Sequence, residues 1–94
     1  MHPIEFGLVA SDEVEAARDY LEKEAPGLGE RFTNLLALTL DRISAFPESS
    51  PVTHRDLRCT LVPTFRYRVF YRIETSRIVI LSVRHPSRDV VSDS

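Results

Sequence analysis

The chain has little sulfur, little glycine and almost no lysine: one cysteine, three glycines, no tryptophan, and Lys23 as the sole lysine among 94 residues. A single thiol, Cys59, forms no internal disulfide, so a reducing compartment is expected. Three histidines (His2, His54, His85) and one cysteine occur without H-x-x-x-H or C-x-x-C spacing, and no metal site is expected. None of the glycines opens a strand-to-helix phosphate cradle; "PGLG" at 26–29 reads as a turn. A nucleophile elbow is also missing. No cofactor is therefore expected. No apolar run approaches the ~18 residues of a membrane span, and no basic-then-apolar leader opens the sequence, so the expected location is the cytoplasm with no membrane contact.

The composition that remains, 43% hydrophobic and 28% charged, is that of a globular chain. Its length suits a single domain over residues 1–94. Charge is unevenly placed. Residues 1–48 carry ten acids against four bases, and residues 49–94 carry eight bases, all arginine, against four acids. Such asymmetry fits an oriented partner surface, and equally fits Glu-rich helices followed by strands. The stretch "FRYRVFYRIE", 65–74, places three arginines among four aromatics, the residue types of many nucleic-acid surfaces.

Ile4, Phe6 and Leu8 alternate in a short first strand. Ser11 is placed as an N-cap for a helix over Asp12–Glu24 with Val14, Ala17 and Leu21 on one face. Pro26, Gly27 and Gly29 end it. A second helix, from about Glu30 to Ala45, carries a stripe of Phe32, Leu35, Leu36, Thr39, Ile43 and Phe46, widened by Leu38 and Leu40. Pro47 stops it. Three strands of period two follow. Leu57, Cys59 and Leu61 share one face of the second strand, with Cys59 expected in the core. Phe65, Tyr67, Val69, Tyr71 and Ile73 share the core face of the third; Arg66, Arg68, Phe70, Arg72 and Glu74 share the other. Ile78–Val83 is apolar on both faces, as a central strand is. The tail, 87–94, is polar and expected to fray. The fold expected is α+β, in the order β-α-α-β-β-β, with a four-stranded antiparallel sheet, a helix hairpin on one face and the arginine face open.

Arginines on adjacent strands could converge on one anion, with His85 at the end of the last strand. Metal-free RNA cleavage needs a base, an acid and cations on the phosphorane; His85 and the arginines are the candidates. Solvated arginines, or an acidic partner peptide, are the alternatives.

Four segments, Pro26 to Phe32, His54 to Arg58, Phe65 to Tyr71 and Ile78 to His85, resemble the RelE/ParE superfamily, toxins of type II toxin–antitoxin modules, in the branch labelled plasmid stabilisation proteins. The branch reads P-G-L-G-x-R-F, H-R-D-L-R, F-P-Y-R-V-F-Y and an apolar strand ending in His; here Arg66 stands at the proline of the third motif. The resemblance implies a helix hairpin on a small antiparallel sheet, and a bacterial growth inhibitor neutralised by a cognate antitoxin whose flexible segment wraps it in a hetero-oligomer. It leaves two targets: DNA gyrase, blocked without bond chemistry, or mRNA on the ribosome, cut by an endonuclease. A decayed toxin that only binds its antitoxin is a third reading. For a nuclease the resemblance points to His85, Arg68 and Arg72 as catalytic. For antitoxin or target binding the candidates are Arg58, Arg66, Arg68, Arg72, Arg84 and Arg88. Pro86 after His85, the single lysine and a pI near 5.9 favour the gyrase reading, because phosphate contact dominates nucleic-acid affinity.

Overall fold

The structure is a computed structural model and describes residues 2–86; the tail expected to fray lies outside them. Strand β1 (Ile4–Phe6) leads into helices α1 (Leu8–Glu24) and α2 (Leu28–Ala45). Strands β2 (Val52–His54), β3 (Leu57–Leu61), β4 (Arg68–Ile73) and β5 (Ile78–Arg84) follow. They form one sheet in the order β1-β5-β4-β3-β2, with the helix hairpin against one face. The α+β class is as expected. The sheet, however, has five strands rather than four and is mixed rather than antiparallel, because β1 pairs parallel to β5.

The direction of β1 follows from the path of the helices. Gly7, extended at the start of α1, donates its N–H to the Ile80 carbonyl at 2.9 Å. Six residues later Glu13 meets Val83, and a further two turns on the Tyr20 ring meets His85. Helix α1 thus runs on past the end of β1 along the edge of β5. Helix α2 returns to where β1 began: the Ser44 hydroxyl donates to the His2 carbonyl at 2.6 Å, and the His2 N–H donates to the Ser44 carbonyl at 3.2 Å. From that end β3, β4 and β5 alternate in direction, and the last of them runs alongside β1. Strand β2 is a three-residue hairpin excursion before β3, too short for its alternation to register in the sequence.

The core is the seam between hairpin and sheet. Ala10, Ala17 and Leu21 from α1 and Phe32, Leu36 and Ile43 from α2 bury against Tyr67, Val69, Tyr71, Ile78, Ile80 and Val83. Each large side chain buried this way is worth about 1.5–3 kcal/mol. Tyr71, fully buried, donates its hydroxyl to the Pro47 carbonyl at 2.7 Å and so anchors the loop after α2. Helix α1 begins three residues before the expected cap: the Ser11 N–H bonds the Gly7 carbonyl, which puts Ser11 inside the helix. Leu38 and Phe46, expected in the α2 stripe, face solvent at 64% and 66% exposure.

The turn between the helices explains the two glycines of "PGLG". Gly27 sits at φ +92°, where a Cβ is strained. At Gly29 a Cβ would lie 2.8 Å from the Arg18 carbonyl oxygen, which the backbone of α1 holds in place. The Glu22 carboxylate completes the turn by accepting from the N–H groups of Gly27 and Gly29 at 3.0 Å, two of the donors a helix start leaves unmatched. Gly29→Ala gains up to ~1 kcal/mol of helix propensity but overpacks the crossing by about 1–3 kcal/mol. A net loss of stability in a urea melt is the expected result, with unchanged stability the contrary one.

Candidate partner-binding face

The face of the sheet turned away from the helices is built by β3, β4 and β5. Arg68, Phe70 and Arg72 alternate along β4 with the buried Val69 and Tyr71. Register brings Leu61 and Arg84 beside Arg68, and Cys59 and Ser82 beside Phe70. The Arg84 guanidinium lies 5.9 Å from the centre of the Phe70 ring, a cation–π distance. Val9, Leu57, Phe70, Leu81, Ser82 and Arg84 line a shallow cavity of about 370 Å³. This face is therefore apolar along its middle and cationic at one end.

Cys59, expected in the core, is half-buried on this open face. Leu57 and Leu61 share its phase, so the second strand presents its apolar row outward and not to the helices. Arg58 takes the opposite phase. It pairs in register with the buried Tyr71 and donates from Nη1 to the carbonyls of Ser50 at 2.7 Å and Glu48 at 3.3 Å. Its charge holds the loop before β2 and is turned away from Arg68 and Arg84.

Arg72 lies at the other end of the sheet. Its Nε and Nη2 donate to Glu74 Oε2 at 3.3 and 3.0 Å, Arg77 Nε donates to Glu74 Oε1 at 2.8 Å, and Arg77 pairs with Glu5 on β1. These bonds, Arg77's first and Arg72's second, hold the Glu74 carboxyl below its ordinary value of 4.5. A carboxyl lowered by folding stabilises above its unfolded value and loses that contribution as pH falls through the folded one. Glu74→Gln should therefore flatten the decline of stability below about pH 4.5 while leaving the neutral profile unchanged in shape; an identical acid limb in the variant would count against the network.

His85 stands on the helix side. Its ring packs edge-on between Tyr20 and Tyr67, with centroids at 6.2 and 5.2 Å. With Glu13, Ala16, Ala17, Val83 and Arg84 these rings line a cavity of about 210 Å³. Arg66 is exposed in the loop between β3 and β4. Arg88 lies outside the described residues. Of the sequence candidates, the structure pairs Arg68 with Arg84 in register and turns Arg58 to the opposite face, Arg72 to the other end of β4 and the His85 ring to the helix side, where Arg84 also borders its cavity.

Glu13 has a role its sequence context does not show. Its Oε1 accepts from the Ser82 hydroxyl and the Val83 N–H, both at 2.8 Å, and so caps the edge of β5 beyond the end of β1. Ser82 in turn accepts from Arg84 Nε at 3.1 Å. Nothing local distinguishes Glu13 from the other acids of α1; only the path of the helix past the strand does. Among the described residues no group of three or more His, Cys, Asp or Glu is placed to hold a metal, and no helix is long and apolar enough to cross a membrane.

The family model for the ParE toxin of the type II toxin-antitoxin system parDE matches residues 4–90. The chain belongs to the ParE toxin family. Among solved structures, one described as the chromosomal ParDE TA system from P. aeruginosa superimposes with a TM-score of 0.79. It covers 90% of this chain and 96% of that one at 12% identity, a likeness of fold. A comparison with curated proteins finds no match. In this ParE-family chain, the segments that carry the resemblance occupy separate elements. The helix turn at 26–32 and the strand at 65–71 meet in the core through Phe32, Phe65 and Tyr67.

Proposed function

We propose that this toxin arrests bacterial growth by binding and inhibiting DNA gyrase in the cytoplasm, makes and breaks no bonds itself, and is held inactive by a cognate antitoxin. The observation that carries this reading is the make-up of the open face, where Arg68 stands beside Leu61 and Arg84 and the Arg84 guanidinium lies over the Phe70 ring. General acid–base catalysis on a phosphodiester requires the acid or base and the charge-stabilising cation to meet at one group, within hydrogen-bond reach of it. Here Arg68 shares the open face with Arg84 and Leu61, whereas His85 is packed between two tyrosines beside the helices. A surface of arginine, phenylalanine and leucine suits protein recognition, in which arginines and aromatics supply most of the binding energy.

Induction in a bacterial host tests it. Filamentation with a DNA-damage response is expected, and His85→Ala should arrest growth as the wild type does. Rapid arrest of translation with mRNA cut on ribosomes, lost in His85→Ala, would establish the nuclease instead. No growth effect would leave a chain that only binds an antitoxin.

A further inference from the structure

The loop that joins β3 to β4 is held in a conformation its sequence does not favour. Thr64 has φ +72° and Arg66 has φ +61°. Positive φ is uncommon outside glycine and an outlier for a β-branched residue. The Phe65 N–H donates to the Pro63 carbonyl at 2.7 Å, which closes a tight turn about Thr64, the rarer and more strained hand of a γ-turn. The Arg66 N–H reaches the Val62 carbonyl at 2.8 Å, and the Val62 N–H reaches the Tyr67 carbonyl at 2.9 Å.

The residues on either side of Arg66 are fixed. Phe65 packs edge-on against Phe32 at 5.6 Å, and Tyr67 packs against the same ring at 4.9 Å. Phe32 and Tyr67 are buried, while Arg66 itself is exposed. A proline here, as in the motif the strand resembles, has φ near −65° and does not fit the observed backbone. Strain that persists because its surroundings over-determine it clusters at functional sites.

We propose that residues 62–67 form a rigid recognition tip whose exposed Arg66, in the loop that leads into the Arg68 end of β4, receives an acidic and apolar segment of a partner protein. The inference rests on the reading of this toxin as a binding inhibitor. Guanidinium groups match carboxylates in paired geometry. Leu61, in register with Arg68, and Phe70, under Arg84, add apolar contact between the charges. A carboxylate segment is favoured over RNA because the chain as a whole carries a net charge of −2, ten of its acids lying in the first 48 residues. RNA brings a phosphate with every nucleotide and meets that charge along its length, whereas a short segment brings only a few carboxylates.

The test uses the full chain, a short fluorescent peptide alternating leucine and glutamate, and a single-stranded RNA of equal length. Arg66→Ala should weaken peptide binding about tenfold with its melting temperature unchanged, and Arg66→Lys should recover part of the loss. Thr64→Gly should raise the melting temperature by relieving the turn yet weaken binding, because the tip is no longer held. Equal peptide affinity in wild type and Arg66→Ala overturns the proposal, as does RNA that binds more tightly than the peptide. A Thr64→Gly chain that is more stable and binds as well would make the turn a packing feature only, and overturns the proposed aiming of Arg66. Gyrase takes no part in these measurements, so a toxin that binds the peptide through Arg66 but leaves gyrase active would refute the target and not the tip.

Discussion

Phe32→Ala should cost this protein about 3–5 kcal/mol, the range for removing a large buried aromatic. Phe32 has no exposed surface. It projects from α2 onto the rings of Phe65 and Tyr67, edge-on to the first at 88° and tilted to the second at 55°. Aromatic pairs in these geometries contribute about 0.5–1.5 kcal/mol beyond area burial, and both are lost at once. Domains of this size have stabilities of about 5–15 kcal/mol, so the variant retains little margin. Thermal melts followed by circular dichroism should show a fall of roughly 4–8 °C for each kcal/mol. A variant within about 1 kcal/mol of the wild type would mean that α2 does not hold the β3–β4 loop, since a core site losing a whole aromatic ring collapses incompletely.

Arg68→Glu should abolish growth arrest while leaving the fold intact. The side chain is on the exposed row of β4, beside Leu61 and Arg84, so no core contact is removed. Reversal places a carboxylate on the face proposed to receive the partner's carboxylates. Breaking one partner of an interfacial charge pair costs about 2–5 kcal/mol, on the order of 30-fold to several thousand-fold in affinity. Titrating the inducer level needed for arrest reads this directly, with Arg58→Glu as a contrast. Arg58 bonds loop carbonyls on the far side of the sheet, and its reversal should lower stability without the same loss of potency per folded molecule. Equal toxicity of wild type and Arg68→Glu would exclude the open face as the working surface.

The helices were legible because burial of one side of a helix imposes a 3.6-residue period, as in Phe32, Leu36, Thr39 and Ile43. The alternation of Tyr67, Val69 and Tyr71 identified the buried row of β4 in the same way. Period two says which residues share a face of a strand; it does not say which face the helices cover. That phase comes from register, and the pairing of Cys59 with Phe70 turned the apolar row of β3 outward and Arg58 inward. The register shift between Phe70 and Tyr71, opposite Ser82 and Ile80, resets the phase again across β5. The His85 ring accordingly turns to the helix side, against Tyr20 and Tyr67, although Arg84 still borders its cavity. The parallel pairing of β1 was hidden for another reason. It depends on where α2 ends, and the bonds between His2 and Ser44 that show this join residues 42 positions apart. Glu13 was missed on the same ground, as its partners Ser82 and Val83 are distant in sequence.

The central claim is that this ParE-family chain inhibits by binding. Its most direct test adds the purified toxin to purified DNA gyrase and follows the supercoiling of relaxed plasmid, alongside ribosomes translating a defined mRNA. Dose-dependent loss of supercoiling, weakened by Arg68→Glu, unaffected by His85→Ala and accompanied by intact mRNA, is the result predicted. Full supercoiling activity with mRNA cleaved on the ribosome, and cleavage lost in His85→Ala, would contradict it.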